Sequence, residues 1–235
     1  MKTLDEINRN LEDFERKFGI AVKGVPQLSP RWFDLKLGVI SASNAHRAVA
    51  KIDSETRATY MAELVAQVCT GVIEEINAKQ LSWGKEHEPA ARKFYEFDRG
   101  VTLEQVTFVF KDNSFRAGCS PDGVLPNKGA ELKCPYDSTN FIKFLVAERI
   151  KPEWRWQNQF TMWCCDAEEW DFAQYDPRMK KSLMKTLNIQ KDPEAFKVFD
   201  DMIPKFVEDM DKMLARAGFT FGEQWTRLAE TKASA

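Results

Sequence analysis

Two acids and an amine stand close together in residues 116–135, RAGCSPDGVLPNKGAELKCP. Asp122 precedes, and Glu131 and Lys133 follow, the run Pro126, Asn127, Lys128 and Gly129, whose residue types favour a tight turn between β-compatible segments. If those four residues form the loop of an antiparallel hairpin, Leu125 is expected opposite Ala130, Val124 opposite Glu131 and Asp122 opposite Lys133. Side chains alternate faces along a strand, so Asp122, Glu131 and Lys133 then project from one side of the sheet. Carboxylates at close range repel one another when both are ionised, unless a cation lies between them. Mg²⁺ takes oxygen ligands and keeps several waters, which suits phosphate-ester chemistry. The ammonium of Lys133 can then orient an attacking water or stabilise charge growing on a phosphoryl oxygen. The plainer alternative is a turn at Asp122-Gly123 with Glu131 and Lys133 as a solvated cross-strand pair, since short patterns of this kind arise by accident.

The elements that must position these groups are legible as periodicities. Leu4, Ile7, Leu11, Phe14 and Phe18 recur at helical spacing before Gly19. Pro30 opens a short helix carrying Trp32 and Leu35, and Gly38 breaks it. Ser41, Ser43 and Asn44 are N-cap candidates for a following helix through His46. A helix start presents free N–H groups, so the serine hydroxyls with Lys36 make a phosphate cradle; the alternative is that they only cap. Residues 51–59 read as a polar loop. A helix is expected over residues 57–71, and another mostly beyond Ser82, with Pro89 in its first turn or kinking it. Residues 101–110 alternate like a strand that turns into the hairpin, giving three consecutive antiparallel strands. Further on come helices from Ser138 and from Glu153, a strand over residues 170–175, a basic cluster of Lys180, Lys181 and Lys185, and a long helix from Asp192-Pro193 to Gly218. The aromatic tail at residues 219–225 docks on the domain or a neighbouring subunit, and residues 226–235 are expected to fray.

Composition bounds the function less sharply. The 235 residues lack a Pro/Gly/Ser-rich linker, which favours one domain, with residues 1–28 as an N-terminal helix and linker. A net charge of −2 gives no global attraction for nucleic acid, so any such contact must be local. Five cysteines without a C-x-x-C pair, and only two histidines, exclude zinc-finger spacing and suggest reduced thiols. With no signal-like or membrane-length apolar run, a cytoplasmic location is expected.

The stretch with Pro121-Asp122 and Glu131-Leu132-Lys133 resembles the active-site hairpin of the PD-(D/E)XK nuclease superfamily. Its neighbours narrow the resemblance to phage lambda-type exonucleases, the YqaJ-like viral recombinases. The matching pieces, in order, are LGVISAS at 37–43, AQVCTGV at 66–72, INAKQLSWGKEHE at 76–88, CSPDG at 119–123, ELKCP at 131–135, YDPRMK at 175–180 and FGEQW at 221–225. The resemblance implies a restriction-endonuclease-like α/β fold, a central mixed β-sheet flanked by helices. It implies a Mg²⁺-dependent 5′-to-3′ exonuclease on duplex DNA ends that releases 5′-mononucleotides and leaves 3′ single-stranded overhangs. Two Mg²⁺ ions are implied, with Mn²⁺ as an alternative occupant, held by Asp122, Glu131, the Leu132 carbonyl and Glu88. Lys133 positions the attacking water, Lys36, Ser41 and Ser43 hold the 5′-phosphate, and Gln157 positions substrate near the scissile phosphate. Lys36 stands where the family more often shows Arg, and so lacks the bidentate fork. A homotrimer ring, a single-strand annealing protein partner and a phage or prophage origin in a bacterial host are also implied. The rival readings are an endonuclease or junction-cleaving enzyme on the same fold, and a non-catalytic DNA-end-binding protein.

Overall fold

The first helix, α1 (Leu4–Phe18), starts at a capping box in which Thr3 and Glu6 satisfy each other's backbone donors, and ends at Gly19 in the left-handed conformation. Its apolar stripe, Ile7, Leu11, Phe14 and Phe18, is buried. Phe14 stacks on Phe110 at 5.3 Å and meets Trp225 edge-on at 4.7 Å. The chain start is fixed as well, because Lys2 Nζ donates to the carbonyls of Phe110, Lys111 and Cys164. The protein is described from a computed structural model covering residues 1–73 and 79–233. Ile76, Asn77 and Ala78 of the INAKQLSWGKEHE block, the side chain of Leu81, and the last two residues of the expected frayed tail lie outside the described residues.

Among the described residues, seven strands fall in two mixed sheets. In one, β1 (Ile40–Ser41) runs parallel to β3 (Ala117–Cys119), which pairs antiparallel with β2 (Val109–Phe110). In the other, the hairpin strands β4 (Gly123–Val124) and β5 (Gly129–Lys133) continue through β6 (Glu169–Tyr175), parallel to β5, to an antiparallel β7 (Met184–Gln190). Three helices pack about the site: α5 (Lys79–Arg99), α6 (Ser138–Ala147) and α7 (Pro152–Cys165). The stripe of Trp156, Phe160 and Trp163 on α7 packs on Phe199 of α8 (Pro193–Ala217).

Several expectations are corrected by local chemistry. The hairpin closes two residues tighter than expected: Gly123 pairs with Ala130 and Val124 with Gly129, and Leu125 N–H donates to the Lys128 carbonyl at 2.7 Å. Glycine permits this approach, since a Cβ on Gly129 would stand 2.3 Å from the Trp170 ring and 2.7 Å from the Gly123 carbonyl oxygen. A slip of two leaves every side chain on its own face, so the functional grouping survives it. Residues 101–110 form a strand only at Val109–Phe110, with one isolated bridge from Glu104 to Val124. Side chains take the neighbouring carbonyls instead, Gln27 bonding Val106 and Trp32 bonding Thr107. The polar loop ends earlier than expected, at Ser54, which caps α4 (Glu55–Thr70). The tail does not fray at 226: Glu223–Ala233 forms α9, anchored by buried Trp225.

Candidate active site

Asp122 sits just before β4, and Glu131 and Lys133 alternate on β5. Lys133 Nζ stands 2.5 Å from Glu131 Oε1, and Gln157 Nε2 on α7 donates to the same oxygen at 2.6 Å, so neither contact uses Oε2. Asp122 Oδ2 accepts the Leu132 backbone N–H at 2.6 Å. Glu88 reaches the group from α5, where Pro89 lies inside the helix without ending it. Glu88, Asp122, Leu132 and Lys133 line one cavity of about 710 Å³.

The electrostatics are those of crowded acids. Burial, followed by repulsion from Glu131 and Glu88, holds Asp122 well above the usual carboxylate range. Burial and Glu131 raise Glu88 likewise. For Lys133, burial pulls down, but Glu131 and Asp122 more than offset it and its amine is held above the ordinary lysine value. Burial also pushes the Cys134 thiol up to about 12, which leaves it protonated beside the acids. Among the described residues, no group of three or more His, Cys, Asp or Glu side chains is closed around a metal-sized point. The donor set nevertheless suits a hard cation: carboxylate oxygens and a strand carbonyl, with negative charge in excess of what Lys133 offsets.

The residues of the expected phosphate cradle make these contacts. Ser41 and Ser43 hydroxyls meet at 3.3 Å, and Asn44 Nδ2 donates to Ser41 at 3.4 Å. They do not cap a helix: a three-residue 3₁₀ turn, Ala42–Asn44, intervenes, the following helix α3 spans only Ala45–Ala48, and neither Ser41 nor Asn44 makes a side-chain cap bond. Lys36 Nζ stands 3.7 Å from the centre of the Trp32 ring. Burial lowers its amine to about 8. Trp32 Nε1 donates to Ser120 Oγ at 3.1 Å, which links the Lys36 platform to the residue two before Asp122. Ser120 was legible only as a hydroxyl inside CSPDG.

Sequence reasoning also missed the clamp behind β5. Arg178, inside YDPRMK, donates to the carbonyls of Pro135 and Tyr136 and pairs with Asp176, a fully buried acid. Asp176 in turn accepts from Ser138. The clamp fixes the chain leaving the catalytic strand. The helix beyond it is capped by Asp137, not Ser138.

Residues 31–168, more than half of the chain, match the YqaJ-like viral recombinase domain, and the chain belongs to that family. Its fold is that of the PD-(D/E)XK nucleases of lambda-exonuclease type. The alkaline exonuclease LHK-Exo from Laribacter hongkongensis superposes with a TM-score of 0.69 at 28% identity, over 81% of this chain and 98% of that one. LHK-Exo in complex with dAMP gives a TM-score of 0.70 at 26% identity with the same coverage. In sequence, the chain is 44% identical over 78 residues to the Escherichia coli (strain K12) protein ExoD, which spans 33% of this chain and 90% of that protein.

Proposed function

We propose that the protein is a divalent-metal-dependent nuclease that degrades duplex DNA from its 5′ ends, releasing 5′-mononucleotides and leaving 3′ overhangs. The observation that carries this is the convergence of Asp122, Glu131 and Lys133 on one hairpin, with Glu88 lining the same cavity as Asp122 and Lys133. The family membership supports nuclease action on DNA, and the dAMP complex of LHK-Exo supports a mononucleotide product.

Asp122, Glu131, Glu88 and the Leu132 carbonyl would hold the metal, Mg²⁺ by the hardness of its donors. When bound, it supplies Lewis acidity toward the phosphoryl oxygens. Gln157 and Lys133 hold Glu131 in one orientation, and the Lys133 amine orients the attacking water and stabilises charge on the phosphoryl oxygens. Leu132 N–H fixes Asp122. Lys36, on its Trp32 platform, would attract the 5′-terminal phosphate together with the Ser41 and Ser43 hydroxyls, so that each cut falls one nucleotide inward. A ring-shaped homotrimer and a single-strand annealing protein partner in phage-type recombination complete the proposal, with the bacterial cytoplasm as its setting. Among the described residues, no helix is long and apolar enough to cross a membrane.

The test is incubation of 5′-phosphorylated linear duplex and covalently closed circles with Mg²⁺ or with chelator. Mononucleotides released from linear DNA alone, and only with Mg²⁺, are expected. Cutting of closed circles would overturn the end-dependent reading in favour of an endonuclease.

A further inference from the structure

The cavity that holds the acids extends beyond them. At about 710 Å³ it lies in the range of sites that enclose a small molecule, ~300–1,000 Å³. Its lining is not only acidic. Tyr136 and Trp154 belong to it, with Lys85 and Lys151, neither of which pairs with a carboxylate among the described residues.

Tyr136 is 45% exposed, although its backbone is tied to the clamp. Its backbone carbonyl accepts from Arg178 Nη1 at 2.9 Å, and its ring stands edge-on to Trp83 at 5.9 Å. Trp83 is itself bracketed by His87 at 3.8 Å and by the Arg178 guanidinium at 4.4 Å. Trp154, also in the lining, rests on Phe172 at 5.7 Å and carries the Lys151 ammonium 4.6 Å from its ring centre. An exposed aromatic fixed in advance, with unpaired cations beside it, has the chemistry of a base-stacking platform along a nucleic-acid strand.

We propose that Tyr136 stacks a nucleobase of the strand being cut, next to the scissile phosphate, with Trp154 and Lys151 in the same cavity gripping the nucleotide. Stacking tolerates every base, because each presents a π face, so the platform gives grip without sequence preference. The acidic residues act on the phosphate, and the aromatic residues hold the nucleotide in register for them.

This rests on the nuclease reading, and the experiment separates the two. Linear 5′-phosphorylated duplexes are prepared intact, or with one abasic nucleotide at the first or the second position. KM and kcat are measured for wild type, Tyr136→Ala and Tyr136→Phe. In the wild type, loss of the base at one of these positions is expected to raise KM about tenfold. Tyr136→Ala is expected to show that penalty on intact DNA and no further loss on the abasic duplex, while Tyr136→Phe, which keeps the ring, behaves as wild type. An equal penalty from Tyr136→Ala on intact and abasic ends at both positions would overturn the stacking proposal while leaving the nuclease standing. A wild type that hydrolyses none of the duplexes overturns the nuclease reading, and the stack with it.

Discussion

Two lysines show how differently the molecule uses the same charge. Lys133 is locked to Glu131 at 2.5 Å and held above the ordinary lysine value, whereas Lys36 lies over the face of Trp32, forms no ion pair among the described residues, and is lowered by burial to about 8. The first has its counter-ion built in and stays charged throughout the physiological range. The second is a desolvated cation whose missing partner would have to arrive with a ligand. On the proposed function, the first would serve the chemistry at the hairpin and the second the recognition of the DNA end.

The strongest way to break this contrast is at the acids. Asp122→Asn or Glu131→Gln should lower hydrolysis by at least about 10³-fold while end binding, measured by fluorescence anisotropy, is retained, since the recognition groups lie elsewhere. A variant that hydrolyses DNA within tenfold of wild type would remove these acids from the chemistry. Lys133→Met should lower kcat by about 10²–10³-fold with little change in KM, because its amine acts on charge that develops in the transition state.

Lys36→Met should instead affect only the discrimination between ends. The preference for 5′-phosphorylated over dephosphorylated duplex is expected to fall about tenfold to a hundredfold, with the rate on dephosphorylated ends unchanged. Equal losses on both ends would place Lys36 in general DNA contact. The pH dependence sharpens the point. With a folded value near 8, the free protein loses the Lys36 charge as pH rises through 8, so phosphate preference should decay there in wild type. The stability sign is the reverse. Between about 8 and the unfolded value of 10.5 the unfolded chain binds more protons, so this group makes stability rise with pH, and Lys36→Met should flatten that rise.

The two regions also differed in how far their residues disclosed them. The hairpin was legible because its signals are local: turn residues at 126–129, period-two alternation and an even register error that leaves faces intact. The long helices α1 and α8 were legible for the same reason, through apolar spacing and a terminal glycine. The recognition region was read as a helix start because Ser41, Ser43 and Asn44 are good caps, yet tertiary contacts set that backbone: Ile40 pairs with Ala117, and Ser41 N–H goes to the Tyr60 hydroxyl. The link from Trp32 to Ser120 joins positions 88 residues apart, and no spacing rule reaches that far. The β7 strand was hidden because Lys185 falls on the same face as Leu187 and Ile189 and shortens the apolar stripe, as suits a strand at a sheet edge.

The smallest expected effect concerns what holds the hairpin rather than what it does. Asp171 on β6 is buried and accepts from the Tyr95 hydroxyl at 2.7 Å, Asn188 Nδ2 at 2.9 Å and Lys128 Nζ at 3.0 Å. Lys128 sits at the hairpin tip, so this pair ties the catalytic loop to the sheet on the face away from Glu131. Burial raises the Asp171 carboxyl, but the three donors outweigh it and the folded value lies below the ordinary 3.8. Its contribution is therefore present above the unfolded value and lost as pH falls through the folded one. Lys128→Met leaves a buried acid with two neutral donors, and should cost about 1–2 kcal/mol by urea unfolding at pH 7, with the loss shrinking below pH 4. Because Asp122 and Glu131 keep their own bonds to Leu132 and Gln157, kcat should stay within about twofold. A large fall in kcat without loss of stability would mean that the recognition and catalytic regions are coupled through this tip, and that the separation drawn between the two lysines is too clean.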